Sequence, residues 1–415
     1  MGADDWRVEK GRMIAAIPGA IQHVSPLVYT VKSQSGPGDY RVTVTESGVE
    51  CNCPDFTKRN LPCKHILSVT QFFIERQTVL PTGEIHSERV PVTYKQAWKA
   101  YNEAQMEEIH LFDILLRDLV ADVPEPEYQT GRPSIPLSNQ LFCAVQKVYS
   151  QMSCRRAWGL FANAVEHGQL PKAPYFGVSS EVLNREDVTA MLQDLITRSA
   201  LPLAGLEEGF APDSTGIQTS SFGAWREEKH GEKRERLWLK AHALAGVKTH
   251  IIVRAEVTDK DGADNTVFEP LLKQTAAAGV QLKAVYADKA YCARSNYILA
   301  KELSFDLYVP FKSNSTAKPK GAPLWRKAFH FFQMHREDFE AKYHARSDVE
   351  SVFSALKRKF GETLKSKNYT SQVNEILAKI LAYNITVLIH EIFEHGVVPD
   401  FFRVGEAARL SANSG

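Results

Sequence analysis

The sequence predicts an α/β protein: a mixed sheet flanked by helices over the C-terminal half, preceded by a helical region and a small ββα metal-binding module. Three observations carry this. From about residue 206 the apolar residues fall into short strand-like runs, three in series and then two alternating with helices. Between about residues 94 and 198 they recur instead at helical spacing. Near the start, Cys51, Cys53, Cys63 and His65 place four soft ligands within fifteen residues.

Each element follows from local pattern. Residues 27–33 and 40–45 read as strands joined by a turn over 34–38, with Tyr40, Val42 and Val44 alternating against Arg41, Thr43 and Thr45. Residues 64–76 read as a helix with Ile66, Val69, Thr70 and Phe73 on one side. Residues 1–78 therefore form one expected module, and Pro81-Thr-Gly83 opens a linker. Over 79–131 that linker contains one long helix, 94–121, with Trp98, Ile109, Phe112, Leu116 and Leu119 at inward spacing, stopped by Pro124 and Pro126.

Residues 132–204 give three shorter helices, 138–149, 153–167 and 179–198. Short helices with tight turns suit a helix-turn-helix reader of DNA, and Arg155-Arg156 starts the second; a purely structural helical domain fits the same pattern. Residues 205–395 form the mixed-sheet domain. Its expected strands are 210–218, 237–245, 250–258, 281–287 and 305–311, with helices at 264–279 and 293–303 and a helical stretch on to about 394. Residues 396–415 read as a tail.

Composition sets outer limits. A chain of 415 residues, 44% hydrophobic and 24% charged, can bury a large core in two or three domains. A formal net charge of +1 means that any nucleic-acid surface must come from local basic clusters. The opening residues Met1 to Trp6 lack the basic and apolar regions of an export leader. The longest apolar stretch, 376–393, is interrupted by Lys379, Asn384, His390 and Glu391, so the expectation is a cytosolic protein without a membrane span. Six cysteines in such a chain point to metal binding rather than disulfides, with Cys143, Cys154 and Cys292 left for apolar packing.

The cysteine cluster reads Cys51-Asn-Cys53, nine residues, then Cys63-Lys-His65. Three thiolates and one imidazole close a tetrahedral zinc shell with no open position, which makes one structural Zn²⁺ the expected occupant. The pattern resembles the SWIM zinc finger. That resemblance implies DNA or protein binding by the module, with Lys58, Arg59 and Lys64 suited to phosphate.

Two aspartates stand where strands meet loops. Asp213 lies in Phe210-Ala-Pro-Asp-Ser-Thr-Gly-Ile217, and Asp288 ends the run from Leu282. Carboxylates on the rim of an open sheet, with a third from a helix, can hold two hard cations. If residues 343–360 are one helix at about 100° per residue, Tyr343, Arg346, Glu350 and Lys357 share an arc of roughly 60°. Val349, Val352, Phe353, Leu356 and Phe360 then form an adjoining apolar stripe. An ordinary amphipathic helix explains the apolar stripe but not the polar alignment.

This order of residues, Tyr, Arg, Glu, Lys at 343, 346, 350 and 357, resembles the signature of bacterial insertion-sequence DDE transposases. Asp213-Ser-Thr-Gly216 and Asp288-Lys-Ala-Tyr291 look like that group's first and second acidic motifs, and the basic run within 225–240 and Ala382-Tyr-Asn384 are similar to it as well. The resemblance spans about 205–395. It implies a ribonuclease H-like catalytic domain in which Asp213, Asp288 and Glu350 hold two Mg²⁺, with Mn²⁺ able to substitute. It also implies that Tyr343, Arg346 and Lys357 contact DNA, that transposon ends are cut and joined to target DNA, and that a homodimer assembles on double-stranded DNA in the bacterial cytoplasm, associated with the nucleoid. A catalytically inactive domesticated DNA-binding protein, a ribonuclease H-like nuclease without strand transfer, and a zinc interaction module on an unrelated enzyme remain as alternatives.

Overall fold

The computed structural model describes residues 10–401 apart from 12, 15, 16, 18, 19, 26, 27, 35–37, 46, 47, 60, 75, 80–84, 89–97, 128–133, 220–237 and 400. The chain divides into two compact units, Met1–Trp98 and Lys99–Gly415. The turn residues 35–37, the linker opening at 81–83, the loop residues 131–133, most of the 225–240 basic run and the tail beyond 401 lie outside the described residues.

The first unit is built on a four-stranded antiparallel meander, β1 (Ile21–Ser25), β2 (Val28–Lys32), β3 (Asp39–Thr45) and β4 (Gly48–Cys51). The sequence pattern predicts only two strands here. Of the outer two, β4 has only four residues, and β1 joins through a register shift between His23 and Ser25. Gly38, at φ +114, lets its carbonyl accept from Ser33 N and closes the β2–β3 turn at 2.9 Å. Two helices follow, α1 (Pro54–Arg59) and α2 (Lys64–Ile74), and then a strand pair, β5 (Arg76–Val79) at the end of the expected module with β6 (Ile85–Glu88) in the stretch whose sequence reads as linker. The module is thus larger than ββα.

The second unit opens with α3 (Trp98–Val120). Its C-terminal half buries Phe112, Leu116 and Leu119 as expected, but Trp98 and Ile109 are exposed. Glu108 takes the inward place, accepting from Tyr149 Oη at 2.7 Å and pairing with Lys359 Nζ at 2.5 Å. Next come α4 (Leu137–Tyr149), almost wholly buried, and the amphipathic α5 (Cys154–Glu166). The single helix expected over 179–198 is instead two, α6 (Val178–Leu183) and α7 (Asp187–Ala204). Asn374 Nδ2 donates to the Leu183 and Arg185 carbonyls, 2.9 Å each, and satisfies the broken ladder from far along the chain.

The sheet contains β7 (Phe210–Gln218), β8 (Trp238–Gly246), β9 (Ile252–Asp259), β10 (Ala284–Tyr286) and β11 (Asp306–Tyr308), in the spatial order β11-β10-β7-β8-β9. The first three are antiparallel; β10 runs parallel to β7 and β11 parallel to β10. This is the mixed sheet the sequence predicts, with β7 central. Helices α8 (Asp264–Ala277) and α9 (Arg294–Glu302) connect its later strands. Then come α10 (Pro323–Met334), α11 (Arg336–Tyr343), a 3₁₀ segment (His344–Val349), α12 (Glu350–Phe360) and α13 (Tyr369–His395).

The 3₁₀ segment corrects the continuous helix expected over 343–360. A turn wound at three residues per turn does not keep the helical register, so Tyr343 and Arg346 do not share one α-helical stripe with Glu350 and Lys357. The apolar stripe is nevertheless buried at Val349, Val352, Phe353, Leu356 and Phe360. Helix α13 is long and apolar enough to span a bilayer, but it lies buried against α4, α7 and β9 as a core helix. The helices from α3 to α7 belong to the same continuous core as the sheet.

Candidate active site and metal centre

Strand register assembles the acidic site. Asp213 lies within the central strand β7. The parallel pairing sets Val285 opposite Phe210, and Asp288 and Asp213 each follow three residues on along these neighbouring paths. Strand β10 ends first, so Asp288 begins a 3₁₀ turn, Lys289–Tyr291, and its Oδ1 accepts from Ala290 N at 2.6 Å. That bond fixes how the carboxylate is presented. Both aspartates are half-buried.

The 3₁₀ segment before α12 packs against β7, and Glu350 opens α12 directly after it. The chain leaving α12 is pinned to the other end of the same strand. Gln218 N donates to Glu362 O and Leu364 N to Gln218 O, each at 2.9 Å. The backbone of Glu350 is therefore tied to the strand carrying Asp213, while its side chain lies outside the described residues.

Tyr291 marks where these parts converge. Burial, and then the charges of Asp264, Asp213 and Asp288, push its hydroxyl far up, while Arg346 pulls the other way. The charges of Asp213, Asp288 and Arg346 are thus all felt at one buried phenol. Tyr343 stacks on Phe339, ring centroids 5.5 Å apart, and with Asp288, Lys289, Arg336 and His344 lines a cleft of about 520 Å³. Lys357 lies half-buried on α12, two turns beyond Glu350.

Asp264, the first residue of α8, belongs to the site although no motif in the sequence marks it. Its Oδ1 lies 2.8 Å from Lys240 Nζ and 3.1 Å from His242 Nδ1, and Ser214, next to Asp213, hydrogen-bonds to it. Burial pushes the Asp264 carboxyl up, but Lys240 and Ser214 outweigh it and hold the group below its usual range. Burial holds fully enclosed His242 below its ordinary range, against the pull of Asp264, and its Nε2 meets Thr258 Oγ1 at 2.9 Å. One residue on, Asn265 accepts from Asn296 Nδ2, which also donates to the Tyr291 carbonyl, both at 2.8 Å. A signal for this cluster is present in β8: Lys240 and His242 are two polar residues two apart in an otherwise apolar strand, hence on one face.

In the first unit, Cys51, Cys53, Cys63 and His65 are all buried, with ligand atoms within 4.8 Å of one another. His65 Nδ1 lies 3.9 Å from Cys51 Sγ and 3.8 Å from Cys63 Sγ. Ligands on one tetrahedral zinc with bonds of about 2.3 and 2.1 Å stand roughly 3.5–4 Å apart, so the donor set fits zinc. Asn52, between the first two ligands, clasps β3: Arg41 N donates to its Oδ1 at 2.7 Å and its own N to Arg41 O at 3.1 Å. The second pair sits at the start of α2. A hydrogen bond from Cys51 draws the Cys63 thiol down to about 4, against burial and with help from His65 and the Ile66 N–H, while Cys51 is pushed up. Three crowded thiols can share few negative charges without a cation. Arg59 is bound by Asp55 through two 2.8 Å bonds, which leaves Lys58 and Lys64 as the better phosphate partners of the expected three.

Of the remaining cysteines, Cys143 is buried, whereas Cys154 and Cys292 are half-exposed, and Cys154 Sγ lies 3.0 Å from Ser180 Oγ. Asn384 is structural: it accepts from Ile252 N at 3.0 Å and donates to Ile252 O at 2.6 Å, clasping β9 to α13.

Residues 204–385 match the family model for the transposase DDE domain, and residues 40–72 match that for the SWIM zinc finger. The acidic site falls within the first match and the zinc ligands within the second. The chain therefore carries a DDE transposase domain behind a SWIM zinc finger. No solved structure matches it.

Proposed function

We propose that this protein is a bacterial insertion-sequence transposase with a ribonuclease H-like catalytic domain, which cleaves DNA at transposon ends and joins the freed 3′ ends to target DNA. The observation that carries this is the β7–β10 pairing, Val285 opposite Phe210, which brings the chain segments bearing Asp213 and Asp288 side by side inside a region matching the transposase DDE domain. The strand order, with its central β7 flanked by one parallel and one antiparallel neighbour, supports the fold assignment.

Asp213, Asp288 and Glu350 offer hard oxygen donors suited to two Mg²⁺, with Mn²⁺ as substitute. Asp213, Asp288 and Glu350 would together hold the pair. When bound, the ions supply a nucleophilic oxygen deprotonated near neutral pH and stabilise the leaving oxygen. The chain's own groups position the DNA. Tyr343 lines the cleft beside Asp288, and Arg346 and Lys357 hold phosphates on either side of Glu350. The reaction needs no covalent protein–DNA link, because the 3′ hydroxyl released by cleavage is itself the nucleophile for joining.

Transposition brings two ends together, so the working form is a homodimer on double-stranded DNA in the cytoplasm, at the nucleoid. The SWIM module, residues 1–78 with one structural Zn²⁺, and the helices of 132–204 would add DNA contacts outside the catalytic domain at 205–395. Incubation of an end-bearing duplex with Mg²⁺ tests the proposal. Wild type should give nicked and then joined products, and Asp288→Asn should lower nicking on the order of a thousandfold while leaving binding intact. Cleavage without joining would reduce the protein to a nuclease; cleavage retained in Asp288→Asn would remove the acidic site from the chemistry.

A further inference from the structure

The turn between α4 and α5 is bolted to the segment leaving α12. Gln151, at φ +55, donates from its side-chain amide to the Lys359 carbonyl at 2.6 Å, and its own carbonyl accepts from the Lys365 ammonium. The intervening loop is held from beneath by α13. Lys379 Nζ donates to Gly361 O at 3.1 Å and Thr363 O at 2.9 Å, and the buried Glu375 carboxylate accepts from Lys365 N at 3.0 Å and Ser366 N at 2.8 Å. An ordered backbone thus presents whatever side chains this junction carries.

Those side chains are mostly cationic. From 355 to 367 the sequence has Lys357, Arg358, Lys359, Lys365 and Lys367 against one acid, Glu362, in a chain whose net charge is only +1. Lys359 is neutralised by Glu108 at 2.5 Å. Arg358, Lys365, Lys367 and, from α5, Arg156 are exposed. Burial and the neighbouring cations Lys147 and Arg156 hold the Lys365 ammonium below its ordinary range despite the opposing pull of Glu375, so like charges outweigh the one buried carboxylate at this junction. Crowding of that kind is relieved by an external polyanion.

The strip is continuous with the proposed active site through α12. Ten rises of about 1.5 Å give about 15 Å from Glu350 to Phe360, or about four base pairs at about 3.4 Å per step. We propose that Arg156, Arg358, Lys365 and Lys367 form a track for the phosphate backbone of duplex DNA, gripping it about four base pairs from the site of cleavage. Its place beside the cut rests on the reading of Asp213, Asp288 and Glu350 as the cutting site; its affinity for DNA does not. Fixed cations on a locked backbone read the phosphates rather than the bases, so the track should be indifferent to sequence.

The test is binding of a fluorescent random-sequence duplex by the full chain over a series of KCl concentrations. Arg156→Glu with Lys367→Glu should weaken binding by at least about tenfold and lower the slope of log affinity against log salt by about two, one for each phosphate no longer neutralised. If that double variant fails to fold, Arg156→Gln with Lys367→Gln should show the same reduction in slope. Asp288→Asn should keep the wild-type slope. An unchanged slope in a folded double variant overturns the track, as does wild-type binding confined to single strands or RNA, or no duplex binding at all. Duplex binding that these variants weaken, without any Mg²⁺-dependent nicking by wild type, would retain the track and remove the catalytic reading.

Discussion

Asp264 joins the two strands of the antiparallel pair at the point where the acidic site is built. It holds Ser214 beside Asp213, lies 2.8 Å from Lys240 Nζ and 3.1 Å from His242 Nδ1 of β8, and begins the helix whose Asn265 is linked through Asn296 to the turn that Asp288 opens. Because burial keeps His242 below its ordinary range, the charge on Asp264 is matched mainly by Lys240 near neutral pH. Outer partners of metal ligands typically contribute 10–100-fold to affinity or rate. Asp264→Asn should therefore raise the Mg²⁺ concentration for half-maximal nicking by roughly tenfold or more, with a parallel loss of Mn²⁺ affinity by calorimetry. Unchanged metal binding at an unchanged melting temperature would make Asp264 a packing residue only.

At the scale of elements, the sheet is more legible in the sequence than its surroundings. The five strands of the second unit can be read because apolar runs bounded by turns survive any tertiary context, and the apolar stripe on α12 because residues 349–360 keep helical spacing. Alignment of Tyr343 and Arg346 with Glu350 is not legible, since a helical wheel assumes constant winding and His344–Val349 is 3₁₀. The break between α6 and α7 depends on Asn374, remote in sequence; β1 spaces its apolar Ile21 and Val24 three apart rather than two, and β4 has only four residues. Of the candidate site, the two aspartates stand at strand positions that register can bring together, whereas Asp264 offers only a helix-start residue. The same dependence on distant partners makes Asn384 critical. Asn384→Leu would leave both Ile252 backbone groups unpaired and should destabilise the second unit by about 3 kcal/mol, read by denaturant unfolding. A change below about 1 kcal/mol would mean that β9 and α13 hold together by apolar packing alone.

Across the whole molecule, the two units rest on different physics. The second buries one continuous apolar core, whereas the first, among the described residues, has a core cluster of eleven, three of them zinc-ligand cysteines. A module that small depends on its metal, since binding free energy becomes folding free energy. Chelation, or Cys63→Ser with His65→Ala, should abolish the unfolding transition of residues 1–98 and leave that of 99–415 within about 2 °C of wild type, as read by calorimetry. Retention of one tightly bound zinc per chain in the double variant would contradict the ligand assignment. Catalysis as proposed depends most on Asp213, Asp288 and Glu350 acting together, and electron paramagnetic resonance of Mn²⁺ bound in the presence of duplex DNA tests it directly. Wild type should give a spin-coupled pair of ions about 4 Å apart, lost in Asp213→Asn, Asp288→Asn and Glu350→Gln alike; a Glu350→Gln protein with the wild-type coupled signal would contradict it.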